Sequence, residues 1–146
     1  MDVKGNYPLS KELVERVLDE LGLNHGRVSG DYIQLHFERE EDVGSELYFR
    51  LDVHGDDKDI LVVLGTVRPV ISADNYVNAL RACNVFNTMY PFGRAYLNED
   101  EAKLCFVSQL LFHNGTTKKF LRGHILEAFG NARAFFTLIH RELHLY

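Results

Sequence analysis

Between Asp31 and His54 the chain twice alternates apolar with polar residues, and few architectures accept that pattern. In Asp31–Glu38, Ile33, Leu35 and Phe37 fall on one side and Tyr32, Gln34 and His36 on the other. In Glu46–His54, Leu47, Phe49, Leu51 and Val53 oppose Tyr48, Arg50 and Asp52. A period of two means extended chain with one buried and one wet face. Two such strands so close in sequence pair as an antiparallel hairpin. Gly55-Asp56-Asp57-Lys58-Asp59 reads as the next turn, and Ile60–Leu64 is apolar without alternation, which predicts a strand covered on both faces.

Helices flank these strands. Ser10 is placed to cap a helix running to Leu21, with Leu13, Val14, Val17, Leu18 and Leu21 at helical spacing and Gly22 as its stop. Ser72 is placed to cap a second, Ala73–Met89, which Tyr90-Pro91-Phe92-Gly93 ends. Arg94–Asn98 reads as a short strand and Ala102–Phe112 as a long one, joined by an acidic turn. Asn114-Gly115-Thr116-Thr117 turns and caps a last helix from Lys118 to near the end of the sequence. There Leu121, Ile125, Ala128, Ala132, Phe135, Ile139 and Leu143 form one apolar stripe, widened by Phe129 and Phe136. The order α-β-β-β-α-β-β-α predicts a single α+β domain over residues 1–146, with a mainly antiparallel sheet and the helices on one face. At 146 residues with 46% apolar content, such a domain has enough chain for a real core.

The residues that could carry chemistry do not assemble into a catalytic pattern. His140 and His144 share a helix face, but Glu142 is misplaced for a zincin motif and no third ligand is evident. Cys83 and Cys105 sit in apolar surroundings and read as core thiols. Asp56-Asp57-Lys58-Asp59 lacks the glycine and glutamate of an EF-hand loop, and Asn114-Gly115-Thr116 reads as a turn. No glycine pattern cradles a nucleotide and no G-x-S-x-G is present. The expectation is a protein that is not an enzyme, with no cofactor and no metal. No apolar run approaches the roughly 18 residues of a membrane span. Met1–Asn6 lacks a signal-peptide layout, so a cytoplasmic protein with free thiols is expected, not a membrane one.

Charge is uneven. Residues 1–67 hold 15 acids and 7 bases, and residues 68–146 hold 6 acids and 9 bases. The acidic half, with Glu38, Glu40, Glu41, Asp42, Glu46, Asp56 and Asp57, repels phosphate backbones and attracts a basic partner. Lys118, Lys119, Arg122, Arg133 and Arg141 on the last helix are thin support for direct nucleic-acid binding, which is not expected.

From about Leu13 to Leu143 the chain resembles the YbjN-like family of bacterial sensory transduction regulators. The resemblance is sharpest at Cys83-Asn84-Val85-Phe86-Asn87 followed by Phe92-Gly93-Arg94-Ala95-Tyr96-Leu97, then an acidic turn and the apolar strand Leu104–Leu111. It implies a fold similar to that of type III secretion chaperones, which are small, acidic, dimeric α+β proteins, and it implies no catalytic residues. Asn84 and Asn87 read as side chains near a helix end that cap or tie down the following turn.

The leading expectation is therefore a protein-binding module, a chaperone-like adaptor or regulator. The alternative is a regulator acting on nucleic acid, directly or through a DNA-binding partner. A third reading is a small-molecule pocket lined by Tyr32, His36, Tyr48 and Arg50. Strand 104–112 is apolar on both faces, with Leu104, Phe106, Leu110 and Phe112 against Cys105, Val107 and Leu111, and helices cover one face. A homodimer is expected to cover the other, with Phe106, Leu110, Phe120 and Leu138 as its interface residues. A protein partner, basic or nucleic-acid-associated, is expected on Tyr32, Gln34 and His36 with Tyr48, Arg50 and Asp52.

Overall fold

The computed structural model describes residues 6–29 and 32–146. Asp31, where the sequence reading starts the first strand, lies outside them. The first helix, α1 (Lys11–Glu20), begins where the Ser10 hydroxyl accepts the Leu13 N–H at 3.0 Å. Its apolar residues Leu13, Val14, Val17 and Leu18 are all buried. Six strands follow in one antiparallel sheet: β1 (Gly26–Val28), β2 (Tyr32–Glu40), β3 (Ser45–His54), β4 (Ile60–Val67), β5 (Arg94–Asn98) and β6 (Lys103–Leu111). Their spatial order is β1-β2-β3-β4-β6-β5. Between β4 and β5 runs α2 (Tyr76–Met89), preceded by a 3₁₀ turn at Ala73–Asn75. After β6 comes α3 (Lys118–Thr137), which ends in a π-turn over Leu138–Glu142. The Thr117 hydroxyl caps α3 by accepting the Phe120 N–H at 3.1 Å. A cap of this kind is worth about 1 kcal/mol.

All three helices lie on one sheet face. α1 packs on β2 and α3, α2 on β5, and α3 on β4 and β6. The strand periodicity selects which side chains they cover: Ile33 and Leu35, Leu47 to Val53 in alternate positions, Leu61, Val63 and Val67, Leu104 and Phe106. The α3 stripe Leu121, Ile125, Ala128, Ala132, Phe135 and Ile139 meets them, with Phe129 and Phe136 also buried. Gly65 is required at its position: a Cβ there would sit 2.9 Å from the Phe49 ring and 3.3 Å from the Ala132 methyl.

Four sequence expectations change. β1 is an additional strand, only three residues long and largely exposed, without the alternation that marks a strand. β4 is not covered on both faces: Leu61, Val63 and Val67 are buried, whereas Ile60, Val62 and Leu64 on the other side are partly open. Ser72 makes no side-chain cap. Leu143 falls past α3 and is exposed rather than part of its stripe.

Candidate functional site

Among the described residues no helix lies on the sheet's second face, and pairing register lays its side chains out in rows. One row reads Gln34, Arg50, Leu64, Val107, Arg94, and the next His36, Tyr48, Thr66, Cys105, Tyr96. Two further ladders, Asp52–Val62–Gln109 and His54–Ile60–Leu111, complete the face on the other side. The middle is therefore an apolar strip of Ile60, Val62, Leu64, Val107 and Leu111, bordered on both sides by aromatic and charged residues. Leu111 is 60% exposed.

The six residues expected to bind a partner converge on the β2–β3 end of this face. The Arg50 guanidinium lies 3.7 Å from the Tyr32 ring centroid, a cation–π contact. His36 and Tyr48 are cross-strand neighbours with ring centroids 5.7 Å apart. The Tyr48 hydroxyl accepts from Arg68 Nη2 at 2.6 Å and donates to the Glu46 carboxylate. That hydrogen bond, with the Arg68 charge behind it, holds the Glu46 carboxyl below the usual carboxylate range. Asp52 is held by Lys11 at 3.3 Å, by His54 at 3.1 Å and by the Val53 N–H at 2.8 Å. Gln34 lies directly across from Arg50.

Burial pushes the Cys83 thiol up to about 11 and raises that of Cys105, so both stay protonated near neutrality. Burial, with Cys105 beside it, pushes the Tyr96 hydroxyl up to about 12. Among the described residues no three His, Cys, Asp or Glu side chains gather as a metal site. His140 stacks on Tyr146, with ring centroids 5.1 Å apart, and its Nδ1 contacts the Tyr146 carbonyl at 2.9 Å. No helix among these residues is long and apolar enough to cross a membrane.

The four residues expected at a dimer interface separate. Phe106 is fully buried under the helices, packed edge-on against Phe86, because its strand parity points it to the covered face. It offers no surface to a second copy, which corrects that expectation. Leu138 lies beside Val85 and Leu143, next to the outer face of α2. That face exposes Val77, Leu80, Val85 and Met89.

Leu110 and Phe120 flank a different feature, a groove of about 790 Å³ between β6 and α3. Phe92, Gly123, His124 and Glu127 also line it. Sequence reasoning missed this groove, although the mismatch of a short β5 beside a long β6 was a signal for it.

The sequence model of the YbjN family, described as "Putative bacterial sensory transduction regulator", matches residues 10–141. No curated protein matches the sequence. Among solved structures, the "Crystal structure of YbjN, a putative transcription regulator from E. coli" superposes with a TM-score of 0.77 at 10% identity, covering 94% of this chain and 96% of the other. The "Structure of the HopA1-SchA Chaperone-Effector Complex" supplies a chain with a TM-score of 0.55 at 13% identity, covering 86% of this chain and 91% of that one. An uncharacterized protein from Methanothermobacter thermautotrophicus reaches 0.55 at 14% identity, with coverages of 92% and 99%.

Proposed function

The chain belongs to the YbjN family, and from that premise we propose that it is a non-enzymatic protein-binding module, a chaperone-like adaptor or regulator of the cytoplasm. The observation that carries this reading is the helix-free sheet face, an apolar strip bordered by the Tyr32–Arg50 and His36–Tyr48 pairs. Tyrosine and arginine around an apolar centre are the residue types that anchor protein interfaces. Glu38, Glu41, Asp56 and Asp57 are exposed and form no salt bridge among the described residues, so they favour a basic, amphipathic partner segment. A chain of similar fold occurs in a solved chaperone–effector complex, which supports the reading. Self-association belongs to it as well: the outer face of α2 with Leu138 is the surface we assign to a homodimer, since soluble monomers seldom leave so many apolar residues open.

The test begins with affinity capture from the native cell and identification of the bound protein. Its affinity is then measured for the wild type and for Tyr48→Ala with Arg50→Ala, after circular dichroism has checked the fold. At least a ten-fold loss, with binding that weakens as salt rises, supports the site. Unchanged affinity without salt dependence moves it to the last helix. A salt-sensitive mobility shift of labelled DNA with the purified chain selects the nucleic-acid reading instead.

A further inference from the structure

β5 is shorter than the strand it pairs with. It meets β6 from Arg94↔Val107 to Asn98↔Lys103, and no segment of the described chain pairs with β6 beyond Val107 on that side. The phase of β6 is fixed at its end, where the Phe112 N–H donates to the Asp59 carbonyl on the β4 side at 2.7 Å. Backbone groups alternate sides along a strand, so Leu110 and Ser108 also turn theirs toward β4, and Gln109 and Leu111 turn theirs outward. Four backbone groups therefore stand on an open edge at two-residue spacing. The outer edge of β5 is treated differently: Asn87 takes both backbone groups of Ala95.

The groove lies directly beside this open edge. Ser108 and Leu110 form its floor, Phe92 one end, and Phe120, Gly123, His124 and Glu127 of α3 its wall. A Cβ on Gly123 would meet nothing within 4 Å, so the space over it is empty of protein. The His124 Nε2 is buried without a hydrogen-bond partner. Lys119 also lines the groove, is exposed and has no salt-bridge partner among the described residues.

We infer that this edge receives an extended segment of a partner protein by strand addition, continuing the line of β5. Its backbone pairs with Gln109 and Leu111. Its alternate side chains, apolar and β-branched, drop between Leu110, Phe92 and Phe120. A hydroxyl among them meets His124, and a carboxylate at its end meets Lys119. The site shares the backbone of Gln109 and Leu111 with the rim of the helix-free face, but its groove opens on the helix side and lies away from the Tyr32–Arg50 and His36–Tyr48 pairs.

The probe is a fluorescein-labelled octapeptide with an aspartate at each end, in which valines and one threonine occupy alternate positions and serines the positions between, so that the valines and the threonine share one face. Binding is followed by anisotropy, and amide exchange by NMR. The expected result is saturable binding in the range of about 10–100 μM, with exchange at Gln109 and Leu111 slowed at least ten-fold and amides of β2 and β3 unchanged. Gln109→Pro removes an outward N–H without touching the β4 ladder, and Gly123→Leu fills the groove from an open position; each is expected to weaken binding at least ten-fold. Should Gln109→Pro fail to fold, Gly123→Leu decides alone. No binding at millimolar peptide, unchanged affinity in the folded variants, or no protection of the two amides at saturation overturns the proposal. So does protection that appears without peptide and rises with protein concentration, because the occupant is then a second copy. Loss of binding to the captured partner in Tyr48→Ala with Arg50→Ala, the octapeptide still binding, separates the two sites.

Discussion

Asn87 satisfies both backbone groups of Ala95: its Oδ1 accepts the Ala95 N–H at 2.7 Å, and its Nδ2 donates to the Ala95 carbonyl at 3.0 Å. Ala95 is buried, and with both of these groups taken by Asn87 of α2 they turn away from β6, off the sheet edge. One side chain near the end of α2 thus ties the helix to β5 and closes the edge of that strand at Ala95.

Replacing Asn87 by alanine leaves a buried donor and a buried acceptor unpaired. At about 1–3 kcal/mol for each of the two groups, the expected loss is about 2–6 kcal/mol. Asn87→Asp keeps the acceptor but sets a carboxylate oxygen against the Ala95 carbonyl in place of the donor, and should cost at least as much as the alanine. Urea unfolding followed by circular dichroism measures both. A loss below about 0.5 kcal/mol for Asn87→Ala would remove the tie from the account.

Gly44 is a second position where one residue type is required. Its φ is +72°, and a Cβ there would lie 2.3 Å from the His140 Nε2. His140 cannot simply move, since it stacks on Tyr146, whose hydroxyl donates to the Val43 carbonyl at 2.7 Å. Gly44→Ala is expected to cost about 2 kcal/mol or more, from the left-handed backbone and the clash together. Adding His140→Ala relieves the clash and leaves the backbone cost. The double variant should therefore lose less than the two single losses added together. Strict additivity in urea melts would mean the ring moves aside freely.

Alkaline pH should destabilise the fold. An ordinary thiol ionises near 9.0 and a tyrosine near 10.0, whereas the native Cys83 is pushed up to about 11 and Tyr96 to about 12 by burial. As pH rises past about 9 the unfolded chain loses these protons first. The native state then holds more protons, and stability falls with pH until the native groups also ionise near 11 to 12. Urea midpoints should be flat from pH 7 to 8 and lower at pH 10.5, with a smaller drop in Cys83→Ala with Tyr96→Phe. Both thiols should also resist a disulfide reagent at pH 8 until denaturant is added. Rapid labelling of the native chain would contradict their burial.

Much of this was legible because period and parity are local. The α3 stripe, the β2–β3 hairpin and the caps at Ser10 and Thr117 all follow from residues a few positions apart. Asn87 could be read as tying down a turn, but not as reaching Ala95, because that contact depends on how far β5 swings back beside α2. Phe106 shows the main limit. Alternation on β6 divides Phe106 from Val107, yet both sides are apolar, and nothing local says which one the helices take. β4 misled for a related reason: Ile60, Val62 and Leu64 look like core, and only the sheet topology leaves their side without a helix. β1, with Gly26 and Arg27 in three residues, owes its strand geometry to pairing with β2 and not to its own composition.

The open apolar residues of α2 give the last expectation. Val77, Leu80 and Val85 are between 46% and 59% exposed, although a helix of a monomer normally turns such residues inward. If two copies bury them against each other, sedimentation equilibrium at micromolar concentration should give twice the chain mass of 16.8 kDa. Val77→Glu is the informative variant. An acid in the first turn of α2 suits the helix dipole, so the monomer should fold at least as well as before. In a two-fold interface the same carboxylate would be buried twice without a partner, which costs several kcal/mol. The variant should therefore sediment at 16.8 kDa with an unchanged circular dichroism spectrum. A wild-type mass of 16.8 kDa would rule out the homodimer; a dimer that survives Val77→Glu would take its interface off this face of α2.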